Sequence, residues 1–204
     1  MRTPRAQSIR TATLVAIIFG SLAPIAWAAA RGTKARGDVT PKDAQIARGK
    51  YLVTIGGCND CHTPWKMGEH GPEPDTSRLL SGHPEEMVMP PGPKADMPWG
   101  ASVAATMTAW TGPWGVSYTA NLTPDPSGLG AWNEDIFINT MRTGKHWGQG
   151  RPILPPMPWS NYGKMTDDDL KAVFAYLQSI PPVHNNVPQP VPPGGGEMAK
   201  TIWD

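Results

Sequence analysis

Cysteine is the scarcest informative residue here, with only two among 204 residues. No second pair exists to complete the four Cys or His ligands that a structural zinc site normally needs. Charge is also sparse: charged residues make up 17% of the chain, and Lys+Arg number 18 against 17 Asp+Glu. No long run of one sign appears and no basic stripe of the kind nucleic-acid binding requires, so no nucleic-acid partner is expected. The longest apolar run, from Ala12 to Ile25, is about 14 residues, short of the roughly 20 that span a bilayer as a helix. G-x-S-x-G and phosphate-loop patterns are missing as well, so no constellation for hydrolytic or phosphoryl chemistry is present.

Glycine and proline are abundant instead, at 22 and 24 residues. Together they approach the load at which disorder sets in. The chain should therefore contain a few helices joined by long, turn-rich loops. At the N-terminus Arg2, Arg5 and Arg10 precede the apolar run, and Ala26-Trp27-Ala28 follows it with a small-x-small pattern. This order predicts a secretory signal peptide over residues 1–28. Its retention as an anchor is the alternative, and only then is membrane contact expected. Cleavage removes three arginines and no acid, which leaves a net charge near −2 from 15 basic and 17 acidic residues.

Both cysteines lie in Cys58-Asn59-Asp60-Cys61-His62. The C-x-x-C-H pattern reads as a c-type haem attachment site. Two thiols three positions apart can add to the two vinyl groups on one haem edge, and the histidine after them is then held beneath the porphyrin. A disulfide would not require His62. A thioredoxin-like pair would want a βαβ setting, and no strand pattern surrounds Cys58. One haem c, covalent through Cys58 and Cys61 with iron on His62, is the expected cofactor.

A haem that carries electrons normally has both axial positions filled, commonly by His and Met. Among ten methionines, Met157 differs from the rest. It sits in Leu154-Pro155-Pro156-Met157-Pro158-Trp159, where three prolines exclude a helix or central strand and stiffen the backbone. Met141 falls within helical periodicity, Met165 precedes a helix, and Met1 and Met198 are terminal. Met87, Met89, Met97 and Met107 remain as alternatives, and His146 is the best alternative histidine. His70, His83, His146 and His184 otherwise read as solvated surface residues.

Three helices are predicted. The first opens at Thr40-Pro41 with Asp43 three residues after the cap and runs to Gly56-Gly57. The second covers about 133–142, capped by Asn133 and closed by Gly144. The third starts after Thr166 with Asp167, Asp168 and Asp169 in its first turn and stops before Pro181-Pro182. Its Leu170, Val173, Phe174 and Leu177 form one apolar stripe, expected to pack against the first helix. Residues 63–120 form a long loop insertion with little periodicity, in which Trp99, Trp110 and Trp114 could wrap a haem and 116–120 could be a short strand. Residues 184–204 read as a poorly ordered Pro/Gly-rich tail.

The pieces ARGKYLV, CNDCHTP, TANLTPDPSGLGAW, ILPPMPW and YLQSIPP resemble the class I c-type cytochromes. The likeness is to cytochrome c domains in the cytochrome subunits of bacterial alcohol and aldehyde dehydrogenases. The resemblance implies a mostly α, cytochrome c-like domain over 40–183, with its N- and C-terminal helices crossing around one haem and long Pro/Gly-rich loops between. It implies Cys58 and Cys61 as thioether sites, His62 as proximal ligand and Met157 as distal ligand. It further implies a periplasmic electron carrier rather than an enzyme, serving a dehydrogenase donor and an oxidase or cytochrome acceptor, or acting as a subunit of a dehydrogenase complex. The alternative from another class is a haem enzyme or gas sensor with an open distal site. Unlike multihaem subunits, this chain carries a single C-x-x-C-H.

Overall fold

Each helix starts where a side chain satisfies backbone donors that the helix itself leaves free. The computed structural model describes residues 40–90 and 100–193. The signal peptide expected at 1–28, Met97, Trp99 and tail residues 194–204 lie outside the described residues. Helix α1 runs Pro41–Ile55 behind a capping box in which the Thr40 hydroxyl accepts from the Asp43 amide at 3.1 Å. A single turn, α2, covers Cys58–His62. Helix α3 spans Glu134–Thr143, capped by the Asn133 side chain on the Ile136 amide and ended by Gly144 at φ 66°. A short α4 covers Trp159–Tyr162, and α5 runs Asp167–Leu177 behind Thr166. The three helices predicted from sequence are all present.

Helices α1 and α5 pack against each other through Gly49. A Cβ at that position would lie 1.9 Å from the Ala172 carbonyl oxygen. Glycine in a helix interior costs about 1 kcal/mol relative to alanine; here it permits backbone-close packing that no side chain would allow. Leu52 and Val53 of α1, Leu170, Val173 and Leu177 of α5, and Phe137 of α3 fill the core. Phe137 and Phe174 meet with ring centroids 5.4 Å apart. Fully burying a side chain of this size contributes about 1.5–3 kcal/mol. The predicted stripe on the last helix thus faces the shared core, while Ala172 and Tyr176 beside it meet Gly49 of the first helix.

The long insertion is not a bare loop. Strands β1 (Trp65–Gly68) and β2 (Gly71–Pro74) form an antiparallel hairpin. Strands β3 (Ser102–Val103), β4 (Ala109–Gly112) and β5 (Gly115–Tyr118) form an antiparallel meander, with Trp110 opposite Ser117. The short strand expected at 116–120 corresponds to β5. Trp110 and Trp114 are half-buried in this meander, their indole N–H groups donating to the Met107 carbonyl at 3.3 Å and the Ser117 hydroxyl at 3.2 Å.

Two expectations need correction. His83 is not a surface residue: it is fully buried, with Nδ1 2.9 Å from the Thr108 hydroxyl and Nε2 3.0 Å from the Met87 carbonyl. Both nitrogens find partners, which is what lets a polar ring leave water. The tail is likewise not loose over residues 184–193. Asn185 is fully buried, and Val191 exchanges both backbone hydrogen bonds with Val116 at 2.7 and 2.9 Å. These bonds tie an apparently featureless Pro-rich segment to the edge of β5.

Candidate functional site

Gly57 creates the site's entrance. At φ 65° it adopts the left-handed conformation that favours glycine, ends the path of α1, and starts α2 at Cys58. On one helical turn, positions i and i+3 share a face, so Cys58 and Cys61 are neighbours on one side of α2. Both thiols are free and half-buried. Burial pushes the Cys58 thiol up to about 11, and burial followed by the Asp60 charge raises Cys61.

His62 closes the turn and is 8% exposed. Its Nδ1 lies 2.7 Å from the Ala120 carbonyl oxygen. A carbonyl only accepts, so Nδ1 carries the proton and donates. Nε2 is left without a hydrogen-bond partner among the described residues. Burial holds His62 below the ordinary histidine value, outweighing the opposite effect of the Ala120 carbonyl. The ring is thus neutral, in a fixed tautomer and with one lone pair available, which is the form that binds a metal. Two thiols on one face and a buried, singly donating imidazole beside them fit a covalently attached haem.

The His62 backbone is held as firmly as its ring. Its carbonyl accepts from the Gly82 amide at 2.8 Å, and the adjacent, fully buried Thr63 accepts from the Leu80 amide through its hydroxyl at 2.9 Å.

Met157 is half-buried on the loop before α4. The loop is tied down on both sides of it. The Ser117 hydroxyl donates to the Pro155 carbonyl at 2.6 Å, and the Tyr162 hydroxyl donates to the Gly56 carbonyl at 2.5 Å. This second bond joins α4, which follows the Met157 loop, to the turn that precedes Cys58. Gly144, at φ 66°, lets Trp159 pack closely, since a Cβ there would lie 2.3 Å from the indole.

The other candidates have different surroundings. Met141 and Met165 pack against the core. Met87 is exposed, while Met89 and Met107 are half-buried in the insertion. His70 and His184 are exposed as expected. His146 is half-buried against Trp132, with ring centroids 5.5 Å apart. Burial and then the Arg151 charge hold it below the ordinary histidine value. Sequence reasoning missed Ala120 and Gly82, which act through backbone atoms and so leave no side-chain signature.

A helical domain with two thiols and a histidine on one short turn defines a haem-carrying class of protein. The Cytochrome c family model matches residues 46–181, and the chain belongs to that family. The family binds covalent haem c and consists of electron carriers rather than catalysts. The chain is 33% identical over 153 residues to the cytochrome c subunit of the quinone alcohol dehydrogenase of Gluconacetobacter polyoxogenes, covering 72% of this chain and 27% of that one. With the gluconate 2-dehydrogenase cytochrome c subunit of Pantoea cypripedii it shares 27% identity over 173 residues, covering 84% and 29%. It is 29% identical over 185 residues to one of the subunits of the nicotinate dehydrogenase of Pseudomonas putida, covering 83% and 13%. The chain thus spans less than a third of the length of these relatives.

Proposed function

We propose that this chain is an exported, periplasmic cytochrome carrying single electrons through one haem c. In this reading Cys58 and Cys61 form the thioether bonds, His62 is the proximal ligand and Met157 the distal ligand. The observation that carries it is the hydrogen bond from His62 Nδ1 to Ala120, which leaves Nε2 of a buried neutral ring free. When bound, the haem supplies an iron that takes up and releases one electron.

The chain's own residues do the rest. Ala120 fixes the tautomer of His62 and raises the basicity of its other nitrogen. The three prolines around Met157 restrict its backbone, so less conformational entropy is lost when the thioether is held in place. The hydrogen bond from Tyr162 to Gly56 links the segments that carry Met157 and His62. A filled axial pair leaves no open position for a substrate, which suits carriage rather than turnover.

The names of the relatives support a dehydrogenase as electron donor, whether as a complex holding this chain or as a transient partner, with an oxidase or another cytochrome as acceptor. The test is the intact mass of the protein exported by a host able to attach haem. One haem should remain after acidic organic extraction, and Cys58→Ser with Cys61→Ser together should abolish it. A mass without haem, or haem removed by extraction, would contradict the reading.

A further inference from the structure

Two backbone segments clasp His62, and both are themselves held by a residue beyond the span that defines the family. Residues 80–83 and 119–122 run side by side: the His83 amide donates to the Thr119 carbonyl at 3.0 Å and the Leu122 amide to the Leu80 carbonyl at 2.8 Å. The first segment supplies the Gly82 amide to the His62 carbonyl, and the second supplies the Ala120 carbonyl to the His62 ring. Gly82 stands at φ 80°, and a Cβ there would lie 2.7 Å from the Ala120 carbonyl oxygen.

Asn185 grips both segments. Its Nδ2 donates to the Ser81 carbonyl at 2.7 Å and the His83 carbonyl at 2.8 Å, the two that flank Gly82. Its Oδ1 accepts from the Glu85 amide at 2.8 Å and from Arg78 at 3.2 Å. Its own carbonyl, with that of Val183, accepts from Asn121, the neighbour of Ala120, at 3.4 and 2.9 Å. Asn185 is fully buried with every side-chain donor and acceptor used. The family match stops at residue 181.

We propose that Asn185 is a positioning residue for the proximal histidine, holding the Gly82 and Ala120 segments at the spacing that keeps the Nδ1–H of His62 on its carbonyl. This rests on the reading of His62 as the iron ligand. Asparagine suits the task because one amide group spans two carbonyls while accepting from two donors. Asn185→Asp keeps the acceptor oxygen and replaces the donor with an oxygen facing two carbonyls.

The test uses the haem-loaded, nitrogen-15-labelled protein. In N185D the His62 Nδ1–H should exchange with solvent about tenfold faster, the size of one lost buried hydrogen bond. In Asn185→Leu, which removes the amide and adds no charge near the iron, the midpoint potential should rise, because a less basic imidazole stabilises ferric iron less. Amides of Leu52, Val53 and Leu170 in the helical core should exchange as in the wild type. An unchanged Nδ1–H in folded N185D, or an unchanged potential in folded N185L, would overturn the proposal. A wild-type measurement decides the case if N185D does not accumulate: the Nδ1–H of His62, the Gly82 amide and the Asn185 side-chain amide should open together under low denaturant. Independent opening of the His62 proton would overturn it. A His62 ring without paramagnetic shifts in the ferric protein would instead sink the ligand reading itself, and this proposal with it.

Discussion

The hydroxyl of Tyr162 donates to the carbonyl of Gly56, 2.5 Å away and 106 residues earlier in the chain. Through this bond the segment carrying Met157 is joined to the turn that launches Cys58. The two segments of the candidate haem site are thus braced against each other by a protein hydrogen bond.

Removing the hydroxyl should loosen that brace. Tyr162→Phe keeps the ring and loses one hydrogen bond, a cost of about 1 kcal/mol. If the loss falls on the Met157 loop, added imidazole should displace the methionine about fivefold more readily. Imidazole titration of the ferric protein, followed optically, measures this, and an unchanged affinity would place the bond outside the ligand's support.

Gly49 offers a second test, of the fold rather than the ligand. Gly49→Ala puts a Cβ 1.9 Å from the Ala172 carbonyl, so α1 and α5 must separate. Overpacking of this kind costs about 1–3 kcal/mol, despite alanine's better helix propensity. Denaturant titration of the haem-loaded variant should show that loss. Ala47→Ser on the exposed face of α1 should stay within about 0.5 kcal/mol of wild type.

His83 predicts a pH dependence. Burial, the largest effect, holds its pKa below 6.5, with the Met87 carbonyl and Glu86 pulling upward and Arg78 downward. A histidine held neutral in the fold binds its proton more readily when unfolded. Its contribution to stability is therefore complete above the ordinary value and is lost as the pH falls from there toward the lower folded value. The denaturation midpoint of the wild type should fall between about pH 7.5 and pH 5.5, and His83→Gln should fall less. Equal decreases would remove His83 as the cause.

Much of this architecture is written locally in the sequence. Thr40, Asn133 and Thr166 cap helices through bonds to residues three positions on, and such short-range chemistry can be read directly. The stripe of α5 and the Cys58–His62 turn are equally local. What escaped is non-local or polar. The insertion folds into strands of two to four residues, too short for a period of two to show. Its buried positions include the polar Ser81, His83 and Thr108 beside only Leu80 and Ala109 among the described aliphatic residues, so no apolar pattern marks them. His83 looked solvated because its partners, Thr108 and the Met87 carbonyl, reveal themselves only in three dimensions. Asn185 was hidden in a Pro-rich tail for the same reason. The acceptor for His62 is a backbone carbonyl at Ala120, which any residue could supply.

The most direct test of His62 and Met157 as the axial pair is the optical spectrum of the ferric and reduced protein, wild type against Met157→Ala, with Met141→Ala as control. The account predicts a low-spin wild type whose weak ferric charge-transfer band, the mark of methionine on iron, disappears in M157A and survives in M141A. A wild type that is high-spin and binds carbon monoxide readily, or a band that persists in M157A, would contradict it.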